Sequence, residues 1–291
     1  MSVSLTFATT TLIDRLQAGL DAADSQTLTP LLDSFRAGNV HYEYEPWFEI
    51  QPDLHGPPER THGEYLLRAR DDKGQPINPE PLVKIINQAG HHTLFDQLIV
   101  LTAVDRAIAR NELPVSINIS SRNASDVNAL PALHAILQQH FKGRYEPHQI
   151  IFELLEDDVA NNPAADTLRF MQKDLGYRFA MDDLSDTPQD LTRLRNLGSE
   201  MNVIKIDGKL FDRLRKGSIT DEYFQHFLSS VQALAPKAKI LCEWLDSPEQ
   251  SAELSKSFPA ISLVQGRALD GNNFSFNQRI RQYHADPKPA C

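Results

Sequence analysis

Five short apolar runs in the second half of the chain each carry, at or near their end, a residue able to hold a metal ion or move a proton. They are Glu153 in IIFELLE, Asp182 and Asp183 in RFAMDD, Lys205 in NVIKID, Glu243 in KILCEW and Gln265 in SLVQG. The β-rich pattern of these runs predicts buried strands, where an isolated charge is costly, so polar groups placed there repeatedly need a shared purpose. Oxygen ligands without Cys or His suit hard ions such as Mg²⁺ or Mn²⁺. Adjacent carboxylates like Asp182 and Asp183 could bridge two ions about 4 Å apart, an arrangement suited to phosphodiester hydrolysis.

The stretches between these runs are long enough for helices and carry helix punctuation. Asn162 with Pro163 reads as an N-cap and first turn, Leu168, Met171 and Leu175 fall on one face, and Gly176 is placed to end the helix. The same alternation recurs with DLTRLRNLG before MNVIKID, DEYFQHFLSSVQALA before KAKILCEW, and SPEQSAELSKSF before AISLVQG. Such βαβ repetition predicts a parallel sheet, and the length of 291 residues suits an α/β fold of the TIM-like (β/α)8 barrel type. Active groups in such barrels come from the ends of several strands, which is how residues remote in sequence converge.

Earlier in the chain, residues 3 to 37 contain two helical patterns, around LIDRLQAGL and LTPLLDSFR, ahead of the first strand-like run HYEYEPWFEI. The Pro-rich connection QPDLHGPPERTH leads to a second strand, GEYLLRAR, whose hairpin-like relation to the first implies an antiparallel opening. Residues 81 to 110 read as helical, with Leu94, Leu98, Leu101 and Ile108 facing inward. PVSINIS is a strand ending near Asn118, and residues 129 to 141 are helical again. The domain reading is therefore a helical extension over 1–38, a barrel domain over 39–282 and a loose tail over 283–291.

Composition narrows the partners. Lys+Arg 29 against Asp+Glu 39 gives a net charge of −10, which excludes the basic footprint of a nucleic-acid polymer binder but not a small anion held through metal ions. Two cysteines, Cys242 and Cys291, cannot form a disulfide framework and suit a reducing, cytoplasmic compartment. There is no basic n-region at the start, and LIVLTAV at 98–104 is too short to span a bilayer, so no membrane insertion is expected. His91 and His92 read as exposed loop residues rather than ligands, since no second His/Cys pair stands at ligand spacing, and Trp47 and Phe48 read as packing.

Taken singly, each polar residue has an ordinary explanation. Glu64 could face solvent or a salt bridge, and Asp182 with Asp183 could cap a turn. Lys205 with Asp207 could be a surface pair, Glu243 could serve a nearby Arg, and Asn118 could be a turn residue. Their number and order argue otherwise, and here the chain resembles the EAL domain family, phosphodiesterases of the bacterial second messenger cyclic di-GMP, across roughly residues 40 to 280. The signature Glu-Ala-Leu followed by Leu-Arg appears as Glu64, Tyr65, Leu66, Leu67 and Arg68; Asn-Leu-Ser as Asn118, Ile119 and Ser120; Glu-x-x-Glu as Glu153 to Glu156. The paired aspartates follow as Asp182 and Asp183, the Lys-Ile-Asp as Lys205 to Asp207, and the Gln-Gly as Gln265 and Gly266.

The resemblance implies that Glu64, Asn118, Glu153 and Asp182 bind one Mg²⁺ or Mn²⁺ ion, and that Asp182, Asp183 and Glu243 bind the second. It implies that Lys205 contacts the attacking water, with Glu243 beside it in the catalytic group. Arg68, with its neighbour Leu67, would hold phosphate, and Gln265 would sit near a base of cyclic di-GMP. A homodimer and a regulatory protein partner stay open. Several residues depart from the family pattern. Leu184 to Asp190 replace a glycine-rich loop, Tyr65 replaces the small Ala, and Glu45 stands where Gln is frequent in the substrate pocket. Trp244 and Asp246 occupy the Gly and second Glu positions of Glu-Gly-Val-Glu, and RALDG replaces an aromatic and Pro-containing segment. A receptor that holds the nucleotide uncleaved, and a protein-interaction module that has lost it, are the alternatives these departures keep open.

Overall fold

The computed structural model describes residues 3–50, 59–155, 162–245 and 248–266. The chain opens with two helices, α1 (Val3–Ala18) and α2 (Ala22–Ala37), and then β1 (Val40–Glu49), β2 (Glu59–Arg70) and a short β3 (Pro76–Ile77). Helices α3 (Pro79–Gln88) and α4 (His92–Arg110) lead to β4 (Val115–Ile119), α5 (Arg122–Ser125), α6 (Ala129–Phe141) and β5 (Ile150–Leu154). Alternation then continues through α7 (Asn162–Lys173), β6 (Arg178–Leu184), α8 (Pro188–Leu197), β7 (Val203–Ile206), α9 (Gly208–Arg215) and α10 (Asp221–Leu234). It closes with β8 (Lys239–Cys242), α11 (Pro248–Ser257) and β9 (Ile261–Gln265). The residues fall into two compact units, one of 1–44 with 64–179 and the other of 45–63 with 180–291.

In the first unit β5 pairs with β4 in parallel, and β3 lies antiparallel on β2. Helix α4 supplies much of the core: Phe95, Leu98, Val100, Leu101 and Val104 are buried, while Leu94 and Ile108, expected to face inward, are half-buried. The single helix expected over 81–110 is in fact two. Asn78 caps α3 by accepting from the Glu80 amide, and Gly90, at φ +76, ends the turn in the left-handed region where a side chain is disfavoured. His91 and His92 are half-buried rather than exposed. The His91 ring fills the space beside Gly19, where an added Cβ would lie 2.3 Å from its Cε1. Helix α7 buries Leu168 and Met171 as expected but stops at Lys173, so Leu175 lies beyond it and is half-buried, and Gly176, at φ +85, donates to the Gln172 carbonyl.

In the second unit β6, β7, β8 and β9 run parallel to one another. The Trp47–Glu49 end of β1 lies antiparallel to β9, with Trp47 opposite Gln265. Val203, Ile204 and Ile206 in β7, with Ile240, Leu241 and Cys242 in β8, are buried, as expected of strands covered on both faces. Among these apolar positions sits Lys205, 1% exposed.

Candidate metal centre

Within the second unit the polar cluster begins with a fault in the ladder. Met181 pairs with Ile204 and Leu184 with Ile206, so Asp182 and Asp183 together stand opposite the single Lys205. That is a β-bulge, which bends a strand and re-aims its side chains. Asp183 takes the left-handed conformation at φ +50, which Asp tolerates better than most residues. The Asp182 carbonyl, inside the bulge, accepts a hydrogen bond from Arg193 on α8, and the Leu184 carbonyl just beyond accepts from the Asp207 amide at 3.0 Å.

The Lys205 ammonium lies 2.8 Å from Asp182 Oδ1 and 2.9 Å from Glu243 Oε1. Its Nζ also sits 5.9 Å from the centroid of the buried Trp47 ring. Asp182, Asp183 and Glu243 each place a carboxylate oxygen within 4.8 Å of the others. Like charges this close repel, and the Lys205 ammonium offsets part of that repulsion. A hard divalent cation fits such an all-oxygen set in number and in sign. Burial, helped by the Glu243 charge, holds the thiol of Cys242, one residue before Glu243, well above the ordinary range.

The Leu184 to Asp190 segment, which lacks the family's glycines, is ordered by its own polar groups. Ser185 and Thr187 hydroxyls donate to Asp190 Oδ2 at 2.7 Å each, and Thr187 caps α8 by accepting from the Asp190 amide. Asp186 accepts from Arg213 at 2.8 and 3.0 Å and from the Tyr223 hydroxyl at 2.7 Å. Burial alone would raise the Asp186 carboxyl. The bonds from Tyr223 and Arg213 more than reverse that and hold it below its ordinary value.

The first unit brings together Glu64, Asn118 and Glu153. Asn118 Nδ2 donates to Glu64 Oε1 at 2.7 Å, and Asn118 is the register partner of Glu153 across β4 and β5. Glu153, fully buried, accepts from the Ser116 hydroxyl. With its amide nitrogen committed to Glu64, Asn118 leaves Oδ1 buried and without a hydrogen-bond partner, the state expected of an oxygen reserved for a cation. The strand end that carries Asn118 is anchored by Asp96 of α4, which accepts from the Ser120 amide at 2.8 Å and from Asn123 Nδ2. The sequence reading missed this residue, and also Ser116. Both look like ordinary helix and strand positions until the fold places them.

The remaining expected residues are placed less simply. The Arg68 guanidinium, expected to hold phosphate, is paired with Glu43 at 2.7 Å and donates to the Leu67 carbonyl at 3.0 Å. Tyr65, in the Ala position of the signature, is buried, stacks on Tyr42 and donates its hydroxyl to Glu112. In the second unit Glu45 and Gln265 are both buried. Trp244 takes φ +63, a conformation that favours the glycine usual at this position, and an added Cβ on Gly208 would lie 2.2 Å from its ring. Glu156, Asp246, Cys291, the RALDG segment and the 283–291 tail lie outside the described residues. Among the described residues no helix is long and apolar enough to cross a membrane.

Strand–helix alternation with an antiparallel first strand and acidic groups on successive strands is the plan of a TIM-like (β/α) barrel, and solved structures share it. An EAL domain of FimX from Pseudomonas aeruginosa, bound to c-di-GMP, matches with a TM-score of 0.66 and 19% identity over 83% of this chain and 93% of that one. An EAL domain protein from Listeria monocytogenes matches with a TM-score of 0.64 and 20% identity over 88% and 97%. The PaMucR phosphodiesterase in complex with c-di-GMP matches with a TM-score of 0.59 and 20% identity over 87% and 99%. Comparison with curated proteins returns no match. The chain belongs to the EAL domain family, whose match covers residues 29–269.

Proposed function

We propose that this chain is a divalent-metal-dependent phosphodiesterase that opens cyclic di-GMP to the linear dinucleotide pGpG. The observation that carries this reading is the β6 bulge, which sets Asp182 and Asp183 opposite Lys205 with Glu243 alongside. Asp182, Asp183 and Glu243 hold one Mg²⁺ or Mn²⁺ ion. Glu64, Asn118 and Glu153 serve as the other ligands that the family motif assigns, a role supported by the unpartnered Asn118 Oδ1. Divalent ions, when bound, supply positive charge for the entering and leaving oxygens of an in-line displacement and make water acidic enough to attack near neutral pH. Lys205 orients that water by donating to its oxygen, held in place by the two carboxylates it pairs with. The water oxygen bonds to phosphorus, one P–O3′ bond breaks, and the 3′ oxygen leaves with a proton. Arg68 steadies the phosphate after release from Glu43, and Gln265 borders a base.

A second reading, a receptor that binds the nucleotide without cleaving it, is favoured by the substituted 184–190 segment. Chromatography of cyclic di-GMP incubated with the protein and Mn²⁺ decides between them, with binding measured in parallel in Ca²⁺ to suppress hydrolysis. Linear dinucleotide supports the phosphodiesterase. Tight binding without product supports the receptor, and neither outcome leaves a protein-interaction module. Homodimerisation and a cytoplasmic setting belong to the same proposal.

A further inference from the structure

The second unit buries a charge that the reaction above does not use. Arg193, in the middle of α8, is 5% exposed on a helix whose neighbour Arg195 is exposed. Burying a guanidinium costs several kcal/mol unless it is well bonded, and this one is bonded sparingly. Nη2 donates to the Asp182 carbonyl and lies 3.8 Å from Asp190 Oδ1, while Nε and Nη1 are buried without a partner among the described residues. A charge kept inside at that cost, for a bond to one particular carbonyl, points to that carbonyl as its purpose. Asp182 lies inside the bulge, immediately before Asp183 at φ +50. The orientation of that peptide sets the directions of both carboxylates. The near end of α8 is itself tied down, because Asp190 is held by Ser185 and Thr187.

From this geometry we infer that Arg193 is a positioning residue that pins the Asp182–Asp183 bulge through the Asp182 carbonyl, and so sets the affinity of the second unit's carboxylates for a divalent ion. The assignment rests on the metal-binding reading above. Without the guanidinium the bulge can relax toward the regular ladder, which turns one carboxylate away from the other two.

Free Mn²⁺ measured by electron paramagnetic resonance gives the dissociation constant for the full chain and for Arg193→Met, Arg193→Lys and Arg195→Met. The melting temperature of each in EDTA is recorded separately. Outer groups that orient ligands change metal affinity by about 10- to 100-fold when removed. The expected result is a Kd for Mn²⁺ raised about tenfold or more in Arg193→Met, an intermediate value in Arg193→Lys and an unchanged value in Arg195→Met. A purely structural arginine lowers the melting temperature and leaves the Kd of the folded protein alone. An Arg193→Met protein that melts cooperatively and binds Mn²⁺ as the wild type does overturns the assignment. Should Arg193→Met fail to fold, Arg193→Lys decides, and a wild-type Kd there overturns it equally. Wild-type protein that takes up no Mn²⁺ overturns the metal reading itself and the assignment with it.

Discussion

Lys205 is a full positive charge at a position flanked in its strand by Ile204 and Ile206, and its two ion pairs, with Asp182 and Glu243, are what make that burial tolerable. The dependence runs both ways, since Asp182 and Glu243 are themselves buried and close together. Removing the ammonium therefore has two separable effects. Lys205→Ala should lower metal-free stability by about 3 kcal/mol, because it strips the partner from buried carboxylates, and should abolish turnover of cyclic di-GMP. Mn²⁺ can replace the missing charge, so the gain in melting temperature on adding Mn²⁺ should be larger in the variant than in the wild type. Calorimetry with and without EDTA reads the first effect and product chromatography the second. Undiminished turnover would remove Lys205 from the mechanism, and an unchanged Mn²⁺ response would remove the charge-replacement argument. Arg68 illustrates the opposite case, in which a motif residue expected to bind ligand is occupied by a neighbouring Glu43 that the motif does not include.

At the scale of elements, the site depends on how strands end. Two β–α junctions of the second unit are closed by a short-range device, Thr187 capping α8 and Asp207 capping α9 by accepting from the Lys209 amide, and Thr220 caps α10 after α9. The junction after β8 is different, because Trp244 occupies a left-handed conformation at a cost of about 1 kcal/mol and lays its ring where a Gly208 side chain would go. Gly208→Ala should therefore displace the indole and destabilise the fold by about 1–3 kcal/mol. With only two tryptophans in the chain, and Trp47 buried, the displaced Trp244 should appear as a red shift in emission. An alanine variant with wild-type emission and melting temperature would show that a side chain at Gly208 is accommodated without displacing the indole. The strand–helix alternation was legible in the sequence because short apolar runs and helix caps are local signals. Asn118, Glu153, Asp182, Lys205 and Glu243 stood out because charged or amide groups in such runs are rare. What was not legible depends on distant partners. Adjacent aspartates do not announce that one leaves the ladder, and Arg193 reads as the polar face of DLTRLRNLG until a carbonyl of β6 draws it inside. The break between α3 and α4 was marked by Gly90 but outweighed by the helical periodicity on either side.

For the molecule as a whole, the net charge of −10 bears on how the proposed nucleotide ligand would be admitted. An acidic protein repels a dianion at long range, and the carboxylates of the candidate centre repel it at short range, so affinity must come from ions that reverse the local sign. Long-range repulsion is screened by salt within a Debye length of about 10 Å at 0.1 M, whereas charges in a buried cluster are screened far less. The two contributions can thus be separated by titration calorimetry with cyclic di-GMP. In EDTA, binding should be weak and should tighten as NaCl is raised, because the dominant interaction being screened is repulsive. In Ca²⁺, used so that binding is read apart from turnover, binding should strengthen by about tenfold or more, equal to about 1.4 kcal/mol, and should weaken as NaCl is raised, because the screened interaction has become attractive. Equal affinities in EDTA and Ca²⁺ would mean that the nucleotide is held by side chains such as Arg68 rather than through ions at the acidic centre, and the receptor reading would then be favoured over the phosphodiesterase.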